Sequence, residues 1–330
     1  MSDDRAQDRR QFLNSTDWAD APFLPLTGDA SSRRYFRAQG THPAILMDAP
    51  PSTCGSMQSF VDVAQYLAAL GLSAPAIYAA DLHGGFLLLE DFGDDDFASL
   101  IHADPSLENS LYSSAIDAIH TTLDATPAPV ASYGISEMAQ ACDLAFLHYA
   151  PQPDAVMCDA LGAIEEALTP FDTTLCTSLR DFHAQNLHWL PERTGTARVG
   201  LLDFQDAVNT LPSYDLVSLL RDVRRDVSDD LAISARKAFA QRRGLDQTAF
   251  QDEFHLVAVQ RNLRILGIFA RLSQQMRKPH YIDLIPRVWT LLQDDLRHPP
   301  LAKLRDQLNA ILPEPSPSHL ERLRQPCPTQ

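Results

Sequence analysis

The sequence predicts an α+β chain in two lobes: a small antiparallel β lobe over residues 1–90 and a larger, mostly helical lobe over 91–330. Three observations lead there. Short apolar runs broken by turn residues dominate before Glu90; apolar residues recur at helical spacing after Gly93; and one β interruption, at 187–203, stands inside the helical part.

Residues 1 to about 21 read as a polar helical lead-in. Phe23–Leu26, Tyr35–Ala38 and Ala44–Met47 read as strands, with 27–32 a tight loop and Pro50-Pro51 ending the third strand. Phe60–Leu70 has helical spacing and stops at Gly71, a C-terminal cap. Ala76–Ala79 and Phe86–Leu89 complete the first lobe. Helices are then expected over 106–123, 136–149, 153–168, 214–226, 230–243, 246–273 and 282–295, with an irregular Pro- and Ser-rich tail from Pro313.

The chain of 330 residues is long enough to bury a substantial core. A net charge of −16 argues against nucleic acid as a partner, because phosphate backbones need basic surface. Five scattered cysteines without a CxxC pair read as reduced thiols. With a polar start and no run approaching the roughly 18 apolar residues of a membrane span, the expectation is a cytoplasmic protein with no membrane partner.

The chemistry concentrates in Leu179-Arg180-Asp181-Phe182-His183-Ala184-Gln185-Asn186 and Val199-Gly200-Leu201-Leu202-Asp203-Phe204. The residues between them predict a hairpin. Centred on Thr194-Gly195, it sets Asn186 opposite Asp203 at its open end. An amide oxygen beside a carboxylate is a hard-oxygen pair suited to Mg²⁺ that is shared with substrate phosphates. Asp181, five residues earlier, is the candidate base for an attacking hydroxyl. His183 and His188 flank the loop without a metal-ligand pattern and read as ordinary polar residues.

This arrangement resembles the aminoglycoside phosphotransferase and choline kinase group, of protein-kinase-like fold. The resemblance implies Asp181 as catalytic base, Asn186 and Asp203 on magnesium, and Asp215 of Pro212-Ser213-Tyr214-Asp215-Leu216 bracing the catalytic loop. It also implies ATP held by the 27–35 loop, through Gly28, Ser31, Ser32, Arg33 and Arg34, and by the strand end near Leu89 and Asp91. The usual phosphate-holding lysine is missing. Met47 stands at its position, Val63 at that of its glutamate partner, and the first lysine of the chain is Lys237. Either Arg33, Arg34 or Arg37 supplies the charge, or the protein is a pseudokinase.

Arg33-Arg34-Tyr35-Phe36-Arg37, Ile45-Leu46-Met47-Asp48-Ala49-Pro50-Pro51 and the segment Gln260–Leu272 are similar to the bacterial N-acetylmuramate/N-acetylglucosamine anomeric kinases of cell-wall recycling, a resemblance running over about residues 10–310. It implies transfer of the ATP γ-phosphate to the C1 hydroxyl of an amino sugar, and no need for the missing lysine. A lactyl carboxylate on such a sugar would want a cation, for which Arg221, Arg224 and Arg225, or Arg261 and Arg264, are candidates. Two alternatives stay open: a kinase for an aminoglycoside or choline-like amine, which the Asp94-Asp95-Asp96 run could serve, and a non-catalytic nucleotide-binding protein.

Overall fold

The computed structural model describes residues 5–26, 33–40 and 42–325. Along the chain run α1 (Ala6–Leu13), β1 (Phe23–Leu26), β2 (Arg34–Ala38), β3 (Ala44–Asp48), α2 (Pro51–Cys54), α3 (Gln58–Ala69), β4 (Ile77–Asp81), β5 (Phe86–Glu90), α4 (Phe97–Ala103), α5 (Glu108–Asp124), α6 (Ile135–Gln140) and α7 (Asp154–Leu168). Then come β6 (Cys176–Ser178), β7 (Leu187–Trp189), β8 (Val199–Leu201), β9 (Val208–Thr210), α8 (Tyr214–Leu220), α9 (Asp229–Arg243), α10 (Gln247–Met276), α11 (Ile285–Leu296), α12 (Ala302–Ile311) and α13 (Pro317–Arg324). A small antiparallel sheet followed by a mostly helical remainder is the α+β architecture expected. The chain forms two compact units, Met1–Thr121 with Ala184–Ala207, and Thr122–His183 with Val208–Gln330. The first unit runs through α4 and most of α5 to Thr121 and includes the β7–β8 hairpin.

In the first unit the sheet order is β1-β2-β3-β5-β4, antiparallel throughout. Phe86, Leu87, Leu88 and Leu89 of β5 are all buried, so both faces of this strand are covered, in keeping with a continuous apolar run instead of alternation. One sheet face, with Ala38, Ala44, Leu46, Phe86 and Leu88, is covered by Phe12 and Leu13 of α1. Side chains alternate along strands, so Tyr35, Met47 and Leu87, which share a register row, belong to the opposite face. At the end of β3 the buried Asp48 carboxylate takes Arg5 Nε at 2.8 Å, Arg9 Nη1 at 2.9 Å and Arg34 Nη2 at 2.9 Å. A carboxylate taken out of water needs such partners, and here they tie the lead-in helix to the sheet. α3 ends as expected: Gly71 has φ 76°, and Leu72 N–H donates to Leu67 O at 3.0 Å.

The hairpin is fastened to this sheet. Leu201 N–H donates to Ser73 O at 2.7 Å, Ser73 Oγ donates to Ala197 O at 2.6 Å, and Arg193 reaches both Ser73 Oγ and Glu90. Gly200 is required here, since a Cβ would stand 2.8 Å from the Phe92 ring.

In the second unit the 30-residue α10 is the central strut, packed by α11, α8 and the turn at 145–149. The helix expected over 136–149 is interrupted: α6 stops at Gln140 and a wide π turn covers Ala145–Tyr149. The interruption lies where α10 presses closest, with the Leu144 carbonyl carbon only 2.2 Å from where a Cβ on Gly267 would sit. α8 is shorter than expected, ending at Leu220 instead of 226, where Asp222 Oδ1 accepts the Arg224 N–H at 2.8 Å and forms a local turn. The tail is not wholly irregular. Ser316 accepts the His319 N–H at 3.3 Å and Pro317 takes the first helical position, the sequence signature of a helix start, so α13 forms.

Gly267→Ala is expected to destabilise the protein by about 1–3 kcal/mol, because overpacking against rigid backbone outweighs the helix propensity gained. A lower denaturant midpoint at unchanged slope is the expected reading. A midpoint at or above that of the parent would show that α10 can move off the turn at no cost.

Candidate active site

The second unit holds Asp181. β6 pairs with β9, Ser178 opposite Val208, and leads into a three-residue turn. Asp181 N–H donates to Leu179 O at 2.8 Å, and Arg180 between them has φ 66°. A non-glycine residue with positive φ in so tight a turn is strained and persists only where its surroundings enforce it.

Asp215, in the first turn of α8, provides that enforcement. Its carboxylate accepts Ser178 Oγ–H at 2.6 Å, Leu179 N–H at 2.8 Å and Arg180 N–H at 3.0 Å. From the far side, Ser218 Oγ donates to Arg180 O at 2.9 Å, and Arg261 Nη2 donates to Ser218 Oγ at 2.7 Å. Burial lifts the Asp215 pKa to about 6, against the pull of these donors and of Arg261. The Asp215 carboxylate thus grips the Ser178 hydroxyl and two backbone N–H groups of the loop, an arrangement suited to positioning it. His183 is held neutral by burial and by Arg224, which donates to its Nε2 at 3.2 Å, in keeping with an ordinary polar role.

The first unit holds the other two acidic-loop residues. β7 and β8 pair with Leu187 opposite Leu201 and Trp189 opposite Val199. Leu202 N–H donates to Asn186 O at 3.0 Å. The register is thus one residue away from the one expected: Asn186 faces Leu202, not Asp203. The reason is the connection, where a 3-10 turn over Gly195–Arg198 replaces a tight turn centred on Thr194-Gly195. Asp203 follows the ladder with φ 58°, in the left-handed region that few non-glycine residues adopt. Phe204 anchors the bend; it is fully buried and its ring lies 4.8 Å from that of Phe60 on α3. Gln205 Nε2 donates to Asp203 Oδ1 at 2.7 Å. The oxygens of Asn186 and Asp203, at the foot of one hairpin, fit a hard cation shared with phosphate, and among the described residues no His/Cys/Asp/Glu cluster offers a rival metal site.

Of the expected nucleotide loop, Gly28, Ser31 and Ser32 lie outside the described residues. Arg34 is engaged with Asp48, and Arg37 with Asp91 (Nε to Oδ2, 2.8 Å) and Asp94 (2.7 Å). Leu89 sits in mid-ladder between Ile45 and Ile77, and Asp91 is the first residue past the strand. Met47 and Val63 are both buried, an apolar pair in place of a lysine and glutamate. One residue escaped the sequence reading. Tyr35, opposite Met47, hydrogen-bonds Arg33 and feels the charge of Asp203; burial, partly offset by Arg33, raises its pKa. Its alternation with Met47 across two strands was the available signal. The acidic run is structural: Asp94 pairs with Arg37, and Asp96 caps α4 by accepting Ser99 N–H at 2.9 Å.

A family model described as "Phosphotransferase enzyme family" matches residues 22–251. The chain is 37% identical to an N-acetylmuramate/N-acetylglucosamine kinase of Caulobacter vibrioides, over 95% of this chain and 98% of that one. It is 33% identical to a kinase of the same name from Pseudomonas putida, over 87% and 88%. Among solved structures, a choline/ethanolamine kinase family protein from Mesorhizobium loti superposes with a TM-score of 0.59 at 14% identity, covering 96% of this chain and 98% of that chain. An aminoglycoside phosphotransferase from Streptomyces rimosus, in complex with ADP and streptomycin, gives 0.52 at 18% identity, covering 77% and 98%. These two share the protein-kinase-like fold. With the family model matching residues 22–251 and a relative 37% identical over 95% of its length, the chain belongs to the phosphotransferase enzyme family.

Proposed function

We propose that this enzyme transfers the γ-phosphoryl group of ATP to the anomeric C1 hydroxyl of N-acetylmuramate or N-acetylglucosamine, with Asp181 as the general base. The observation that carries the reading is the braced turn. A carboxylate fixed by a strained, triply hydrogen-bonded loop is held where it can accept a proton, instead of being left to fluctuate on a surface. The relatives named above support the acceptor. An anomeric hydroxyl is more acidic than an ordinary alcohol, so a base of modest strength suffices.

Asn186 and Asp203 would hold Mg²⁺, which when bound neutralises charge on the nucleotide phosphates. The remaining work falls to the chain. Asp181 takes the C1 hydroxyl proton as the oxygen attacks, and the Asp215 brace fixes the direction of its approach. Arg33, hydrogen-bonded to Tyr35 on the Met47 face of the sheet, is the candidate phosphate cation.

ADP release from Mg²⁺-ATP is the test, with N-acetylmuramate, N-acetylglucosamine, kanamycin and choline as parallel acceptors. Release with the acetylated sugars, yielding a sugar 1-phosphate, is the expected result; release with the amines alone would refute the reading. Asp181→Asn should abolish turnover and keep ATP binding, and Asp203→Ala should lose productive nucleotide binding.

The two arginines should separate. Arg33→Ala is expected to raise KM for ATP about tenfold, as for loss of one charge-assisted contact. Arg34→Ala should lower thermal stability and leave that KM within about threefold, the residual spread allowed by an exposed partner. The reverse pattern would place the phosphate cation on Arg34.

Turnover should also fall as pH drops through about 6, where Asp215 gains a proton and loses the negative charge that holds its donors. The same raised pKa means that folding stability present at low pH is lost as pH rises through 6. Activity and stability therefore run in opposite directions across that window. In Asp215→Asn the acid limb should vanish and turnover be low at every pH; a limb that persists unchanged would assign it to another group.

A further inference from the structure

The chain that follows α8 is gathered into a fixed turn. α8 ends at Leu220, and Asp222 Oδ1 accepts the Arg224 N–H at 2.8 Å. Arg287 of α11 lies across this turn. Its Nε and Nη2 each donate to Asp222 O at 3.3 Å, and the same guanidinium reaches Arg225 O and the Asp226 carboxylate. Ahead of the turn, Arg221 is held by the buried Asp295 carboxylate, also of α11, at 2.6 Å. The backbone flanking Arg224 is thus pinned to α11 on both sides.

The Arg224 side chain is aimed at the loop of the candidate base. Its Nη1 donates to His183 Nε2 at 3.2 Å, and His183 stands two residues after Asp181 in the same unit of the fold. The His183 ring is buried, with 6% exposure, whereas Arg224 is exposed. The guanidinium therefore sits where a buried part of that loop meets solvent, within reach of a solute. His183 is held neutral by burial, by Arg224 and by Arg261. A neutral imidazole fixes the direction of the guanidinium through one donor and leaves its charge uncompensated. Arg221 and Arg287 differ, since each meets a carboxylate of the protein. Arg261 is buried and donates to Ser218 Oγ. An exposed guanidinium, oriented by its own anchor and with donors to spare, matches a carboxylate through parallel hydrogen bonds.

We propose that Arg224 is the residue that selects an acidic acceptor: its guanidinium binds the lactyl carboxylate of N-acetylmuramate, a partner that uncharged N-acetylglucosamine does not offer. This rests on the anomeric-kinase reading above. His183 acts as the anchor that orients the fork, and Arg287 keeps the turn beneath it in place.

The measurement is kcat/KM for N-acetylmuramate, its methyl ester and N-acetylglucosamine, in parent and variants, with the 1-phosphate product quantified. The ester keeps the bulk of the lactyl group and removes its charge. The parent should prefer the acid to the ester roughly 10–30-fold, as for one hydrogen-bonded charged contact. Arg224→Gln should lose about that factor on the acid and stay within about threefold of the parent on the ester and on N-acetylglucosamine, so that the preference disappears. Arg224→Lys, which keeps the charge without the fork, should retain part of it. Equal losses on all three acceptors in the Gln variant would overturn the inference and assign Arg224 to holding the loop through His183. A preference for the acid that survives the substitution, or a parent that shows none, would overturn it as well. A parent active on neither sugar would sink the acceptor reading itself, a failure seen before any substitution is made.

Discussion

A buried carboxylate accepting three hydrogen bonds from a strained turn is the interaction on which the rest of this enzyme depends. Asp215 ties the first turn of α8 to the Ser178–Arg180 backbone, and so ties the helical scaffold to the residue just before the candidate base. Positive φ at Arg180 costs on the order of 1–3 kcal/mol, and each charge-assisted bond returns a comparable amount. Removing the brace would let the turn relax to ordinary torsions, and Asp181 would lose its direction without leaving the chain. Ser218 and Arg261 repeat the arrangement on the carbonyl side, so the turn is gripped through both its donors and its acceptor.

The first unit solves a related problem by different means. Asp203 also has positive φ, and packing holds the chain beside it: Phe204 buries itself against Phe60, and the hairpin behind is fastened through Ser73 and Arg193. In each unit a candidate residue stands at or beside a strained backbone position held by its neighbours, the arrangement expected when geometry is kept at the expense of local comfort.

Much of this was legible in the sequence, for identifiable reasons. The strands of the first sheet announce themselves because short apolar runs are bounded by Pro and Gly, and α3 because Gly71 ends it. Asp181, Asn186, Asp203 and Asp215 stand at spacings that few other arrangements share. The misses have physical causes as well. Hairpin register depends on turn geometry, and a 3-10 turn at 195–198 shifts the pairing by one residue, which symmetry counting cannot foresee. α6 breaks because another helix presses on it through Gly267, a tertiary effect absent from local periodicity. Tyr35 reads as an ordinary strand aromatic until the register sets it opposite Met47. Which arginine is spoken for is likewise invisible in a string, since Asp48 and Asp91 choose their partners across the sheet.

Burying methionine where the family resemblance implies a lysine has a consequence for chemical labelling. Nucleotide reagents that acylate an amine next to bound phosphates rely on a lysine side chain, and this sequence has none before Lys237. Surveys that count kinases by such labelling would pass over this one, however active. The Met47 face offers instead a phenol, Tyr35, with the half-buried thiol of Cys54 near enough to act on its titration. An electrophile matched to sulfur or to a phenol is the reagent whose chemistry suits this face of the sheet.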